Sequence, residues 1–163
     1  MAQTLPEWDE PRNGPLVLDV AGLRARAGSF LGHSHWHEID QTQIQRFADA
    51  TGDQQWIHVD VPRAVAGPFG TPIAHGYLTL SLAPVLLWEV LDVVGASRVV
   101  HYGLGKVRFP TPVPVGSRVR GQWTCGEVED VTGGVQTTFG LVVERDGSST
   151  PACVADILFR YYV

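Results

Sequence analysis

An α+β fold, with one curved antiparallel β-sheet wrapped around a central apolar α-helix, is predicted from two features of this chain. The C-terminal half holds three long segments, residues 117–128, 135–144 and 153–163, in which apolar and polar side chains alternate between the turn-rich stretches EDVTGG and RDGSSTP. Upstream, residues 74–94 are apolar on nearly every side, as suits a helix surrounded by protein rather than lying on a surface. A long meander curls by its own twist, and a helix in its concave face supplies the layer that the inward side chains need.

Composition supports a single folded domain. The 163 residues are 44% hydrophobic and only 18% charged, enough apolar surface for a core and too little charge for a disordered chain. Twelve basic against seventeen acidic residues leave a net charge of −5, which argues against nucleic acid as a partner. Cys125 and Cys153 lie far apart without a C-x-x-C partner and read as free thiols of a reducing cytoplasm. The start, MAQTLPEWDE, is acidic where a signal peptide needs a basic region. The longest apolar stretch is interrupted by Pro84, Glu89 and Asp92, so neither export nor a membrane span is expected.

The elements follow in order. Residues 1–28 read as an N-terminal arm, irregular to about residue 15 and then a short helix on Leu16, Val20, Leu23 and Ala27; residues 29–163 form the domain. Residues 30–39 read as one strand with His33, His35 and His37 on a common face. Three imidazoles raise zinc as an option, but same-face neighbours about 7 Å apart cannot all reach a metal at about 2.1 Å, and no metal is expected. Asp40 with Gln43 forms a capping box for a helix on Ile44, Phe47, Ala48 and Thr51 that should stop at Gly52. Residues 54–73 hold too many breakers for one element, apart from a helical turn at 62–66, and loops of this length are often functional. Pro84 frees the Leu80 carbonyl and predicts a kink in the central helix. Residues 106–109 read as a short strand.

Two segments carry candidate chemistry. FADATGDQQWIHVD places Asp53 and His58 five residues apart just beyond a helix end. On a continuous helix they would diverge by about 140°, so they meet only through the turn that Gly52 permits. A carboxylate and an imidazole at one water can share acid and base work near neutral pH. On spacing alone, a turn aspartate and a structural histidine are the commoner outcome. FGTPIAHGYLTLSLAP runs straight into the central helix, so His75, Gly76 and Tyr77 lie where backbone N–H groups are unpaired and the helix dipole is positive. Gly76 would let a carbonyl approach closely, the geometry of an oxyanion hole, although entry to a core helix explains these residues equally well. Ser81, one turn into the helix, most commonly bonds back to its own backbone. Lys106 and Arg108 read as solvated charge, with a local basic patch for a phosphorylated ligand as the alternative.

Together, TGDQQWIH, PIAHGYLTLSL and YGLGKVRFPTPVPVGSRV, in that order, resemble the MaoC-like dehydratases, the (R)-specific enoyl-CoA hydratase family of single hot-dog folds. The resemblance runs from about residue 31 to 162. Where the family motif reads G-D-x-N-P-x-H, Gly52, Asp53 and His58 match, while Gln55 and Trp56 replace the Asn and Pro, as in a NodN-like branch. The resemblance implies that Asp53 and His58 hold one water and that the Gly76 N–H binds the thioester carbonyl. It implies that His75, Tyr77, Ser81 and Gln55 border the substrate. It also implies a homodimer, an acyl-CoA or acyl-carrier-protein thioester as substrate, and no further cofactor. A non-catalytic acyl-binding subunit and a hot-dog thioesterase are the alternatives.

Overall fold

The computed structural model describes residues 13–163. The chain begins with β1 (Leu16–Leu18), α1 (Val20–Ala25), β2 (Phe30–His33) and β3 (His37–Glu38), followed by α2 (Gln41–Thr51), α3 (Trp56–Val59) and α4 (Val61–Val65). The centre is α5 (Gly76–Ser81) and α6 (Ala83–Trp88), then β4 (Leu91–Val93). Four long strands complete it: β5 (Arg98–Arg108), β6 (Arg118–Val131), β7 (Gly134–Arg145) and β8 (Cys153–Tyr162). They form one antiparallel sheet in the order β2-β6-β7-β8-β5, with β3 also on β6, while β1 and β4 pair separately in parallel. The expected hot-dog architecture is present.

Alternation along the long strands defines the core. Val119, Trp123 and Cys125 of β6, Val135, Thr137, Phe139, Leu141 and Val143 of β7, and Cys153, Ala155, Ile157, Phe159 and Tyr161 of β8 are all buried. They face Leu78, Ala83, Leu86 and Leu87 of the central helices. Burial pushes both Cys125 and Cys153 thiols up to about 11, away from the reactive thiolate.

Several expectations change. The helix placed on residues 16–27 is a strand followed by a shorter helix, because Asp19 Oδ1 accepts from Gly22 N–H at 2.7 Å and so starts α1 at Val20, leaving residues 16–18 to pair with β4. The irregular arm expected for residues 1–15 lies almost wholly outside the described residues. The strand placed on residues 30–39 breaks after His33, where Ser34 N–H donates to the Gly121 carbonyl at 2.9 Å and Ser34 Oγ accepts from Gly121 N–H at 2.8 Å. In consequence His33 is buried, His35 is exposed, and the His37 ring meets Glu89 at 2.9 Å, so the three imidazoles do not share one face. The central helix is two, not one: Pro84 cannot donate to the Leu80 carbonyl, the chain divides at Leu82, and residues 91–93 leave the helix for β4. Tyr77, Ser81, Val85 and Trp88, spaced along one side, are exposed rather than covered. Finally, the strand expected at 106–109 begins at Arg98; register shifts at His101/Gly103 and Leu104/Val107 break the alternation that would have marked it.

Gly121 of β6 lies under α6. A Cβ there would stand 2.7 Å from Trp123 Nε1, 3.1 Å from Leu86 Cβ and 3.3 Å from Leu141 Cδ1. Overpacking of this kind predicts that Gly121→Ala lowers unfolding stability by about 1–3 kcal/mol, read from the denaturant midpoint.

Candidate active site

Asp53 owes its place to the end of α2. Asp40 Oδ1 accepts from Gln43 N–H at 2.7 Å and begins that helix; Gly52 ends it in the left-handed conformation at φ 80°. The Asp53 side chain is 55% exposed, with Oδ1 accepting a long 3.4 Å bond from the Gln55 backbone N–H. Gln55 is itself exposed and precedes α3, the turn of helix that delivers His58 to the interior. That turn was not anticipated, because four residues are too few to show helical periodicity.

His58 is fixed from both ends. Gln41 Nε2 donates to its carbonyl at 2.8 Å, and its ring Nδ1–H donates to the Ile73 carbonyl at 2.6 Å. Ile73 is held in turn, since its N–H donates to the Ile57 carbonyl at 3.1 Å and the next amide, that of Ala74, donates to the Val113 carbonyl at 2.8 Å. With the proton on Nδ1, the neutral imidazole presents Nε2 as its basic atom.

His75 lies against both groups. Its ring stacks on that of His58, with centroids 3.8 Å apart and planes 24° apart, and its Nε2–H donates to the Asp53 carbonyl at 2.9 Å. One carboxylate oxygen of Asp53 and one ring nitrogen of each histidine lie within 4.8 Å of one another. These are donor types that suit a transition metal. Stacked rings, however, send their in-plane lone pairs side by side rather than toward one point, and one nitrogen of each ring already serves a carbonyl.

A cavity of about 230 Å³ opens beside this group, lined by His58, Phe69, Gly76, Thr79, Phe109 and Val113 among others. No side chain caps α5, so the first amides of that helix, beginning with Gly76, have no intrahelical partner, and Gly76 borders the cavity. The absent side chain at position 76 also seats Phe109, since a Cβ would meet its ring at 3.1 Å.

The other expected site residues do not line this cavity. The His75 side chain is 3% exposed and does not line the cavity. Tyr77 is 71% exposed and points away, its ring 6.2 Å from that of Phe109. Ser81 Oγ donates to the Tyr77 carbonyl at 2.6 Å and borders a second cavity of about 400 Å³, with Leu80, Leu104 and Ile157, at the helix break. Phe69, Thr79 and Phe109 went unremarked as site residues; only the place of Phe109 within the KVRFP segment could have flagged it.

Burial holds His58 below the ordinary histidine value of 6.5, and the neighbouring His75 adds to that, against the Ile73 hydrogen bond and the Asp53 charge, which pull the other way. His101, packed on the Phe159 ring at 4.1 Å, is also lowered by burial. A depressed folded value means that below 6.5 the unfolded chain takes protons the folded chain refuses. The stability these groups contribute is therefore present above 6.5 and is lost as pH falls toward the folded values. The denaturant midpoint is expected to decline as pH falls below about 7, and His101→Gln to flatten that decline.

Comparison with known proteins places this geometry in a family. Residues 24–145 match the family model described as MaoC like domain. The chain is 54% identical over 143 residues to 3-hydroxyacyl-thioester dehydratase Z of Mycobacterium tuberculosis, covering 87% of this chain and 95% of that one. It is 42% identical over 142 residues to nodulation protein N of Rhizobium leguminosarum, covering 85% and 88%. Among solved structures, an (R)-hydratase from A. caviae involved in PHA biosynthesis superposes with a TM-score of 0.69 at 21% identity, over 83% of this chain and 96% of that one, a likeness of fold. With the family model spanning most of the domain and the Asp53–His58 segment inside the match, the chain belongs to the MaoC-like dehydratase family.

Proposed function

We propose that this protein is a hydro-lyase that adds water reversibly to a trans-2-enoyl thioester, the CoA ester or its carrier-protein counterpart, giving the (R)-3-hydroxyacyl thioester. The observation that carries the reading is the Asp53 carboxylate within 4.8 Å of a buried His58 imidazole, beside a cavity that the Gly76 amide also borders. The 54% identity to a protein named for thioester dehydration supports it.

A separation of this size suits one water held by both groups. The thioester carbonyl accepts from the Gly76 N–H, which draws charge from C3 and stabilises the enolate-like oxygen that develops. The pair takes a proton from the water as its oxygen bonds to C3, and a proton returned from the pair to C2 completes the addition. Dehydration runs the same steps backwards. The transferred proton is assigned to the pair joined by the shared water rather than to either member. Because α5 has only six residues, the oxyanion is held by the Gly76 hydrogen bond more than by a helix dipole. Ser81, on the largely apolar second cavity, borders the acyl chain, and Gln55 orients Asp53 through its backbone; no cofactor beyond the thioester is needed for these steps.

The same reading includes a homodimer. Among the described residues the outer edge of β5 is unpaired and presents Val99, Tyr102 and Leu104, each about half exposed, and Tyr77, Val85 and Trp88 of the central helices are also exposed. No described helix is long and apolar enough to cross a membrane, and the two free buried thiols suit a cytoplasmic location.

With crotonyl-CoA and a longer enoyl-CoA, the wild type is expected to consume enoyl-thioester absorbance. Asp53→Asn and His58→Ala should each lower kcat by about 10²–10⁴ while remaining folded. Release of free thiol instead of loss of the double bond would identify a thioesterase; neither reaction would leave an acyl-binding subunit. Light scattering should give about twice the 17.8 kDa chain mass, and Val99→Lys should shift it toward the monomer.

A further inference from the structure

The proposed reacting groups come from three separate stretches of chain: Asp53 from the turn after α2, His58 from α3, and the Gly76 amide from the start of α5. Something must hold their spacing, because a displacement of about 1 Å in such a group costs about 10²-fold in rate. Asp53 is poorly restrained by its own surroundings. Its backbone N–H reaches Thr51 Oγ1 only at 3.4 Å, and its carboxylate receives one bond, also at 3.4 Å.

His75 touches all three stretches. Its Nε2–H donates to the Asp53 carbonyl at 2.9 Å, its ring covers one face of His58 at 3.8 Å, and it is covalently joined to Gly76. Phe47 of α2 closes on the ring at 5.1 Å, and the whole side chain is 3% exposed. A buried ring stacked on His58, packed by Phe47 and hydrogen-bonded to the Asp53 carbonyl has no freedom to swing toward a ligand.

We propose that His75 is a positioning residue of the hydration reaction: it ties the Asp53 backbone to the first turn of α5 and holds the His58 ring edge-on to the cavity, without touching substrate. This rests on the assignment of Asp53, His58 and Gly76 above. Its neighbourhood also helps oppose protonation of His58, so its loss is visible in a pH profile as well as in a rate.

The test separates the ring from its hydrogen bond. His75→Phe keeps a stacking ring and removes the donor; His75→Gln keeps a donor and removes the ring. With an enoyl-CoA, His75→Phe is expected to lose about 10- to 100-fold in kcat with KM within about twofold. His75→Gln should recover part of that kcat, while the acid limb of its pH profile moves toward the ordinary histidine value. A KM rise at constant kcat would overturn the proposal, because it would put His75 in contact with substrate; so would an unchanged kcat and profile in folded His75→Phe. In the wild type, a slowly exchanging His75 Nε2–H resonance is expected by NMR, and a freely exchanging one would overturn the tie to Asp53 even if both variants failed to fold. If the wild type hydrates no enoyl thioester, the functional reading fails on that result alone. The NMR exchange rate and the His58 titration in the two variants then still decide whether His75 holds these groups.

Discussion

Helix α6 can lie as close to the sheet as it does because position 121 has no side chain. Leu86 Cβ would stand 3.1 Å from a Cβ at that point, so bare backbone is what admits α6 to the concave face. The same backbone carries the reciprocal bonds to Ser34 that end β2, which couples the first strand of the sheet to the seat of the helix. With α6 seated, the break forced by Pro84 ends α5 at Ser81, and the other end of that short helix, at Gly76, is where an unpaired amide meets the cavity. Core packing and site geometry are therefore one problem in this fold.

The proposed acid–base pair divides its environment. His58 is buried, with its proton pinned on Nδ1 by the Ile73 carbonyl and its charged form opposed first by burial. Asp53 keeps over half of its side chain open to solvent. One group thus stands in a dry wall as a neutral imidazole with a free Nε2, and the other stands where water enters. Two titratable groups held in such unlike surroundings are suited to acid and base work near neutral pH.

The regular elements were legible wherever local chemistry and tertiary structure agree. The Asp40 cap, the Gly52 stop and the alternation along β6, β7 and β8 read correctly, because a cap, a left-handed glycine and a two-residue period are each decided within a few residues. The readings failed where a distant partner decides. Residues 16–18 are a strand because β4 lies beside them, residues 34–36 leave the sheet because Gly121 and Glu89 capture them, and β5 is hidden by two register shifts along an edge.

For the candidate site, the sequence by itself determined the residue types and their local settings: a carboxylate freed by a glycine stop, an imidazole five residues on, and a glycine at the mouth of a helix. Only the tertiary structure decided which of these meet. The Ile73 carbonyl, the His75 stack and the Phe109 ring over Gly76 all reach the site from chain segments remote from the residues they touch. Contacts of that kind leave no period or spacing in the sequence. They exist because a sheet curled around a broken helix brings those segments to one place.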